Sequence, residues 1–201
     1  MEKSKEEIMK KLAGGDDGYI STKDLKREGL NVYDINVLLE KGEIERVKWG
    51  LYRWTETQNE YHEMEEVSRL VPQGVLCLFS ALAWHELTTY IPKVSAIAIP
   101  IKARKPVLPK YPPIKIYYFS DVRFETGIEI IHINGHPVKI YDLEKTVCDI
   151  ILYRNKIGMD IVKEVMENYV GKRGKNVQRL MQYAEALRVL AILKTYLEVL
   201  I

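Results

Sequence analysis

Between residues 19 and 55 the sequence writes two short helices and a glycine-centred hairpin, each with its own start and stop. Tyr19-Ile20 is a short extended piece. Ser21 stands where a side-chain oxygen caps a helix over Thr22–Glu28, with Asp24 three residues on and Gly29 behind it. Asn31 stands likewise before Val32–Lys41, with Asp34 three residues on and Gly42 as the stop, and Ile35, Leu38 and Leu39 fall on one face. Ile44–Lys48, a Trp49-Gly50 turn and Leu51–Thr55 then read as a hairpin. Ahead of these, Ser4-Lys-Glu-Glu7 opens a capping-box helix through Ile8, Met9 and Leu12, which Gly14-Gly15 stops. Few folds accept helix, turn, helix and hairpin in so short a span. The order is that of a winged helix-turn-helix, with Leu25 and Leu30 where the paired helices meet.

In such a unit the second helix of the pair lies in the DNA major groove and the hairpin flanks it. The face opposite the apolar stripe offers Asn31, Tyr33, Asp34 and Asn36. Asparagine bonds adenine bidentately, and tyrosine bonds phosphate or stacks. Asp34 fits there only as a helix cap or as the acceptor of a cytosine amino group. The hairpin offers Arg46, Lys48, Trp49 and Arg53, and the first helix begins at Thr22 and Lys23, where backbone N–H groups point outward. The DNA-binding candidates are therefore Thr22, Lys23, Asn31, Tyr33, Asn36, Arg46, Lys48, Trp49 and Arg53.

Composition narrows the alternatives. The chain has 201 residues, 30 Lys+Arg against 28 Asp+Glu, and a net charge of +2. Any affinity for DNA must therefore come from locally placed charge, because residues 1–56 alone sum to −1, with 11 Lys+Arg and 12 Asp+Glu. Only two cysteines are present, Cys77 and Cys148, both in apolar surroundings, so buried thiols in a reducing compartment are expected rather than a disulfide framework. The N-terminus reads as a charged helix start, not a signal peptide. The longest apolar run, Val75–Trp84, is too short to cross a bilayer. These features point to a cytoplasmic protein.

All eight prolines lie at or after Pro72, and Thr55–Val67 holds five glutamates and no Lys or Arg. That shift marks a boundary near residues 56–62, giving domains 1–56 and 57–201. In the second domain Glu63–Val71 and an apolar Val75–Leu87 read as helices, the latter as the core helix. Ser95–Ile101, Ile114–Ser120, Ile128–Ile133 and Val138–Tyr141 read as strands, with Asn134-Gly135 as a type I′ hairpin turn. Asp142 caps Leu143–Arg154, and helices follow at Asp160–Val170, Val177–Ala186 and Leu187–Val199. The whole is α+β: an N-terminal winged helix-turn-helix, then an α+β domain with a small sheet and several helices.

Catalytic signals are weak. His132 and His136 flank the Asn-Gly turn and point to opposite faces of a hairpin, so they do not converge on an ion. His85-Glu86 ends the apolar helix, as a satisfied helix-end histidine would. Asp121 and Glu125 follow a strand, yet no Glu-x-Lys lies on a neighbouring one, as a nuclease would need. Phosphate-loop, nucleophile-elbow and zinc-binding spacings are absent from the sequence. No catalysis, metal or cofactor is expected. The most basic segment is Ile101–Ile116, a proline-rich loop with Lys102, Arg104, Lys105, Lys110 and Lys115 and no acid. It reads as a second DNA-facing patch or a dock for an acidic partner. Lys172-Arg-Gly-Lys175 with Arg179 reads as ordinary turn charge.

Four runs in this chain together resemble one family. They are Gly42-Glu-Ile-Glu-Arg-Val-Lys-Trp-Gly-Leu-Tyr52, Pro72-Gln-Gly-Val-Leu-Cys-Leu-Phe-Ser-Ala-Leu-Ala-Trp-His85, Ala96-Ile-Ala-Ile-Pro100 with basic residues after it, and Tyr141-Asp-Leu-Glu-Lys-Thr-Val-Cys-Asp149. The chain is similar in these to the AbiEi antitoxins of type IV (abortive infection) toxin–antitoxin systems, although that family usually has Arg where this chain has Lys145. The resemblance implies a repressor of its own operon whose winged helix binds inverted repeats in double-stranded DNA. It implies a C-terminal domain needed for antitoxicity and for cooperative DNA binding. It also implies a nucleotidyltransferase-like toxin as functional partner, countered without a stable complex; the short apolar runs leave no membrane partner expected. Lys102, Arg104 and Lys105 fall where the family often has a basic stretch. Two rivals remain: a protein-interaction module with a degenerate winged helix, which would use the Glu56–Glu66 linker or the basic loop, and a divergent metal-dependent nuclease.

Overall fold

A computed structural model describes residues 18–55 and 61–200. Among these residues there are nine helices and two sheets, so the chain is α+β. The expected helix from Ser4 to Gly14 and the stretch Glu56–Glu60 lie outside the described residues. The chain divides into two compact units. The first takes residues up to Glu65 together with His132–His136, and the second takes Glu66–Ile131 and Pro137–Ile201.

The first unit contains β1 (Tyr19–Ser21), α1 (Thr22–Arg27), α2 (Val32–Glu40), β2 (Ile44–Lys48) and β3 (Leu51–Trp54). The strands form one antiparallel sheet in the order β1-β3-β2. This is the winged helix-turn-helix arrangement. Its core is Ile20, Leu25, Leu30, Ile35, Leu38, Ile44, Tyr52 and Trp54. Leu25 is wholly buried and Leu30 nearly so, as their place between the two helices requires.

The second unit holds a five-stranded sheet in the order β6-β5-β4-β8-β7, save for the residues at the β7–β8 turn that fall in the first. Its elements begin with α3 (Glu63–Leu70), β4 (Val75–Leu76), α4 (Leu78–Trp84), β5 (Ser95–Pro100), β6 (Ile114–Phe119), α5 (Asp121–Glu125), β7 (Ile128–Ile133) and β8 (His136–Tyr141). Four helices follow: α6 (Leu143–Ile157), α7 (Met159–Gly171), α8 (Val177–Ala186) and α9 (Leu190–Leu200). Asn134 and Gly135 both take positive φ, 51° and 77°, as the two central positions of a type I′ turn demand.

One expectation is corrected here. The apolar run from Val75 is not helical throughout. Val75 and Leu76 form the central strand, bonded antiparallel to β5 and parallel to β8, and the helix begins only after Cys77. Periodicity does not separate a buried strand from a buried helix when a run is apolar on every side. The remainder of the run does supply the core helix. Leu78 and Leu82 pack with Ala98, Phe119, Tyr141, Val147, Ile151, Met166, Leu180 and Leu193.

Candidate nucleic-acid interface

α2 is held at its start by a reciprocal cap. Asn31 Oδ1 accepts from the N–H groups of Tyr33 (2.8 Å) and Asp34 (3.1 Å), and the Asn31 N–H donates to Asp34 Oδ2 (3.0 Å). Asp34 is accordingly buried. Its carboxylate serves the helix end rather than the outward face. The side-chain oxygen of Asn31 is also spent on capping. What the helix presents outward is Tyr33, 74% exposed, and Asn36, whose side chain makes no hydrogen bond among the described residues.

α1 has a simpler cap, Ser21 Oγ accepting from the Asp24 N–H at 3.1 Å. Lys23 on this helix is exposed. The Thr22 N–H donates to the Gly50 carbonyl at 2.9 Å, which ties the start of α1 to the tip of the β2–β3 hairpin. Wing and helix pair are thus joined by a main-chain bond rather than by side chains alone.

The wing is irregular. Arg46 pairs with Tyr52 and Lys48 with Leu51, so Val47 is an extra residue on the strand, and it turns inward. The bulge leaves Glu45 and Arg46 both exposed. The Arg46 guanidinium lies 5.4 Å from the Trp49 ring centre and 5.8 Å from that of Tyr52. Trp49, at the tip, is 88% exposed. Lys48 is partly covered, and that burial pushes its ammonium below the ordinary lysine value. Arg53 is placed differently. It sits directly across from Glu45 and holds that carboxylate through both Nε and Nη2, with its guanidinium 5.0 Å from the Tyr61 ring centre. Its charge is therefore engaged within the unit.

In the second unit the basic loop covers residues 101–113, and Lys115 lies on β6 itself. Lys102 pairs with Asp121 at 3.3 Å, while Arg104, Lys105, Lys110 and Lys115 find no carboxylate among the described residues. Asp121 and Glu125 open and close the short helix α5. Two members of the other basic cluster are engaged within the unit. Lys172 Nζ donates to the His85 carbonyl at 2.6 Å, and Arg179 lies 3.9 Å from both Asp142 and Glu144. His85 donates from Nε2 to the Tyr141 carbonyl at 2.7 Å, as a helix-end histidine with a partner.

Sequence reasoning did not find the buried ionic centre of this unit. Lys145 and Asp149 have no exposed surface and meet at 2.6 Å, and Arg123 reaches the other carboxylate oxygen at 3.1 Å. Lys145 stands 3.9 Å from the Tyr141 ring centre, and Arg123 stands 3.8 Å from that of Phe119. The signal was present: a lysine and an aspartate four apart in an otherwise apolar helix register.

Among the described residues no helix is long and apolar enough to cross a membrane, and no group of three or more metal-binding side chains converges. No curated protein matches the chain. Residues 7–55 match the model of a family described as "Transcriptional regulator, AbiEi antitoxin". Of the four runs that carry the resemblance, the wing string lies inside that match and the other three lie beyond it. Over residues 7–55 the chain is thus similar to the AbiEi antitoxin family of transcriptional regulators.

Proposed function

We propose that the chain is a sequence-specific DNA-binding repressor of its own operon and the antitoxin of a type IV, phage abortive-infection system. In this reading residues 1–56 bind double-stranded operator DNA, and residues 57–201 form the antitoxin domain. The functional partner is a nucleotidyltransferase-like toxin, countered in the cytoplasm without a stable complex. The observation that carries the reading is the division of labour on α2. Asn31 and Asp34 are consumed as caps, so Tyr33 and Asn36 stand outward beside a wing carrying Arg46, Lys48 and Trp49.

Phosphate contacts from Thr22, Lys23, Arg46 and Lys48 would set register and affinity, and Asn36 with Tyr33 would set sequence choice. Trp49 with the stacked Arg46 suits a wing that touches the sugar-phosphate edge of a groove. Arg53 contributes through the position of β3 rather than as a free charge. The second patch, Lys102, Arg104, Lys105, Lys110 and Lys115, is available to DNA or to a partner. Titration of upstream operon DNA against scrambled DNA at several salt concentrations tests the reading. Preference for the upstream sequence, reduced by Asn36→Ala, supports it. Undetectable binding to either DNA overturns it in favour of a protein-interaction module.

A further inference from the structure

The edge of the five-stranded sheet offers a surface that DNA recognition by the wing leaves unused. β6 is the terminal strand, with no strand beyond it among the described residues. Its parallel register with β5 sorts its side chains. Ile114, Ile116 and Tyr118 stand beside Ser95, Ile97 and Ile99 on one face, and Lys115 and Tyr117 stand beside Ala96 and Ala98 on the other. A parallel connection must run back along the sheet, and here the proline-rich loop 101–113 does so without a helix. Between loop and strand lies a cavity of about 510 Å³, lined by Lys105, Pro106 and Leu108 from the loop and by Ile114, Lys115, Ile116 and Tyr118 from the strand.

We propose that this edge accepts an extended acidic segment of another protein, added as a further strand beside β6. Its alternate apolar side chains would lie along Ile114, Ile116 and Tyr118, and the carboxylates between them would point to the Lys115 side, with Lys105 in the groove adding longer-range attraction. Main-chain pairing supplies affinity in such additions, and the alternating pockets supply selectivity. A groove that sets Ile114, Ile116 and Tyr118 beside two lysines, along an open strand edge, suits an alternating acidic and apolar polypeptide better than a phosphate backbone. The cations repel a second copy of the same edge, which favours an acidic partner. The described part of the chain's own acidic stretch does not fit the role. Glu63, Glu65 and Glu66 belong to α3, and the last two are buried.

The test uses the full chain and a fluorescent, end-blocked peptide of alternating valine and glutamate. Saturable binding is expected, weakened by salt. It should fall roughly tenfold or more in Lys105→Glu with Lys115→Glu, both exposed positions. N-methylation of alternate peptide amides should abolish it, because the ladder then lacks donors. The wing variant Lys48→Ala should leave it unchanged, so failure here and failure of DNA recognition are separable. Absence of binding overturns the proposal and leaves Lys115 as a guard of the edge. Equal binding of the N-methylated peptide also overturns it, as does a patch variant that loses affinity for duplex DNA while the peptide never binds.

Discussion

Asn31 and Asp34 cap one another. The side-chain oxygen of Asn31 takes the Asp34 N–H at 3.1 Å, and the Asp34 carboxylate takes the Asn31 N–H at 3.0 Å. Two residues on the apparent reading face of α2 therefore act on stability. Asn31→Ala or Asp34→Ala should each lower the stability of the first unit by about 1 kcal/mol. Asn36→Ala and Tyr33→Ala should stay within about 0.5 kcal/mol of the parent. Thermal unfolding followed beside DNA titration separates the pairs. An Asn31→Ala protein with unchanged Tm and lost sequence preference would make Asn31 a reader of bases instead.

The wing cations should divide between binding and architecture. Lys48→Ala is expected to weaken all DNA sequences alike and to reduce the salt slope by about 1. Arg53→Ala is expected to leave that slope nearly intact, since its guanidinium is already held by Glu45. The sign of the pH effect follows from burial. An ammonium whose value is lowered loses its charge at a lower pH than an ordinary lysine. Rising pH should therefore remove the Lys48 contribution early, and Lys48→Arg should retain it. Equal pH profiles for the two proteins would place Lys48 away from the phosphates.

Much of this was legible because capping chemistry is local. Ser21, Asn31, Asp142 and Asn176 all cap helices, and the first three sit where the spacing of polar and apolar residues places a helix start. The type I′ turn is legible for the same reason. What was not legible depends on partners distant in sequence. Val75-Leu76 becomes a strand only because β5 and β8 flank it. The bulge at Val47 exists only in the pairing of β2 with β3. Arg53 looks like a free wing cation until its partner across the sheet, Glu45, is known. The short helix α5 is hidden because the Asp121–Glu125 sequence carries no apolar period of its own.

The buried centre at Asp149 should behave as a coupled unit. Asp149→Asn leaves the fully buried Lys145 and the mostly buried Arg123 without a countercharge. A loss of about 3 kcal/mol or more is expected, since removing one partner strands the other charge. Burial already pushes the Lys145 ammonium down, with Asp149 opposing that shift. Removing the Lys145 charge as well, as Lys145→Met with Asp149→Asn, should therefore recover part of the loss, Arg123 alone then lacking its partner. A double-mutant cycle in urea measures the coupling. Additive single and double effects would mean that the pair contributes by volume alone.

Both thiols should be silent in the native protein. Cys77 and Cys148 are fully buried and unbridged. Burial, with the negative charge of Asp149 beside it, pushes the Cys148 thiol up to about 12, and burial pushes Cys77 well above its ordinary value. The reactive thiolate is thus absent from the folded state, and labelling must await opening of the second unit. At about pH 8 a thiol reagent should label neither cysteine promptly, and both should react once the chain is unfolded. When opening is fast relative to labelling, the rate follows the population of the open form. Asp149→Asn should then speed labelling by the factor by which it raises that population. Prompt native labelling of either cysteine would contradict the core as described. Labelling in Asp149→Asn no faster than in the parent would show that the ionic centre does not hold this core closed.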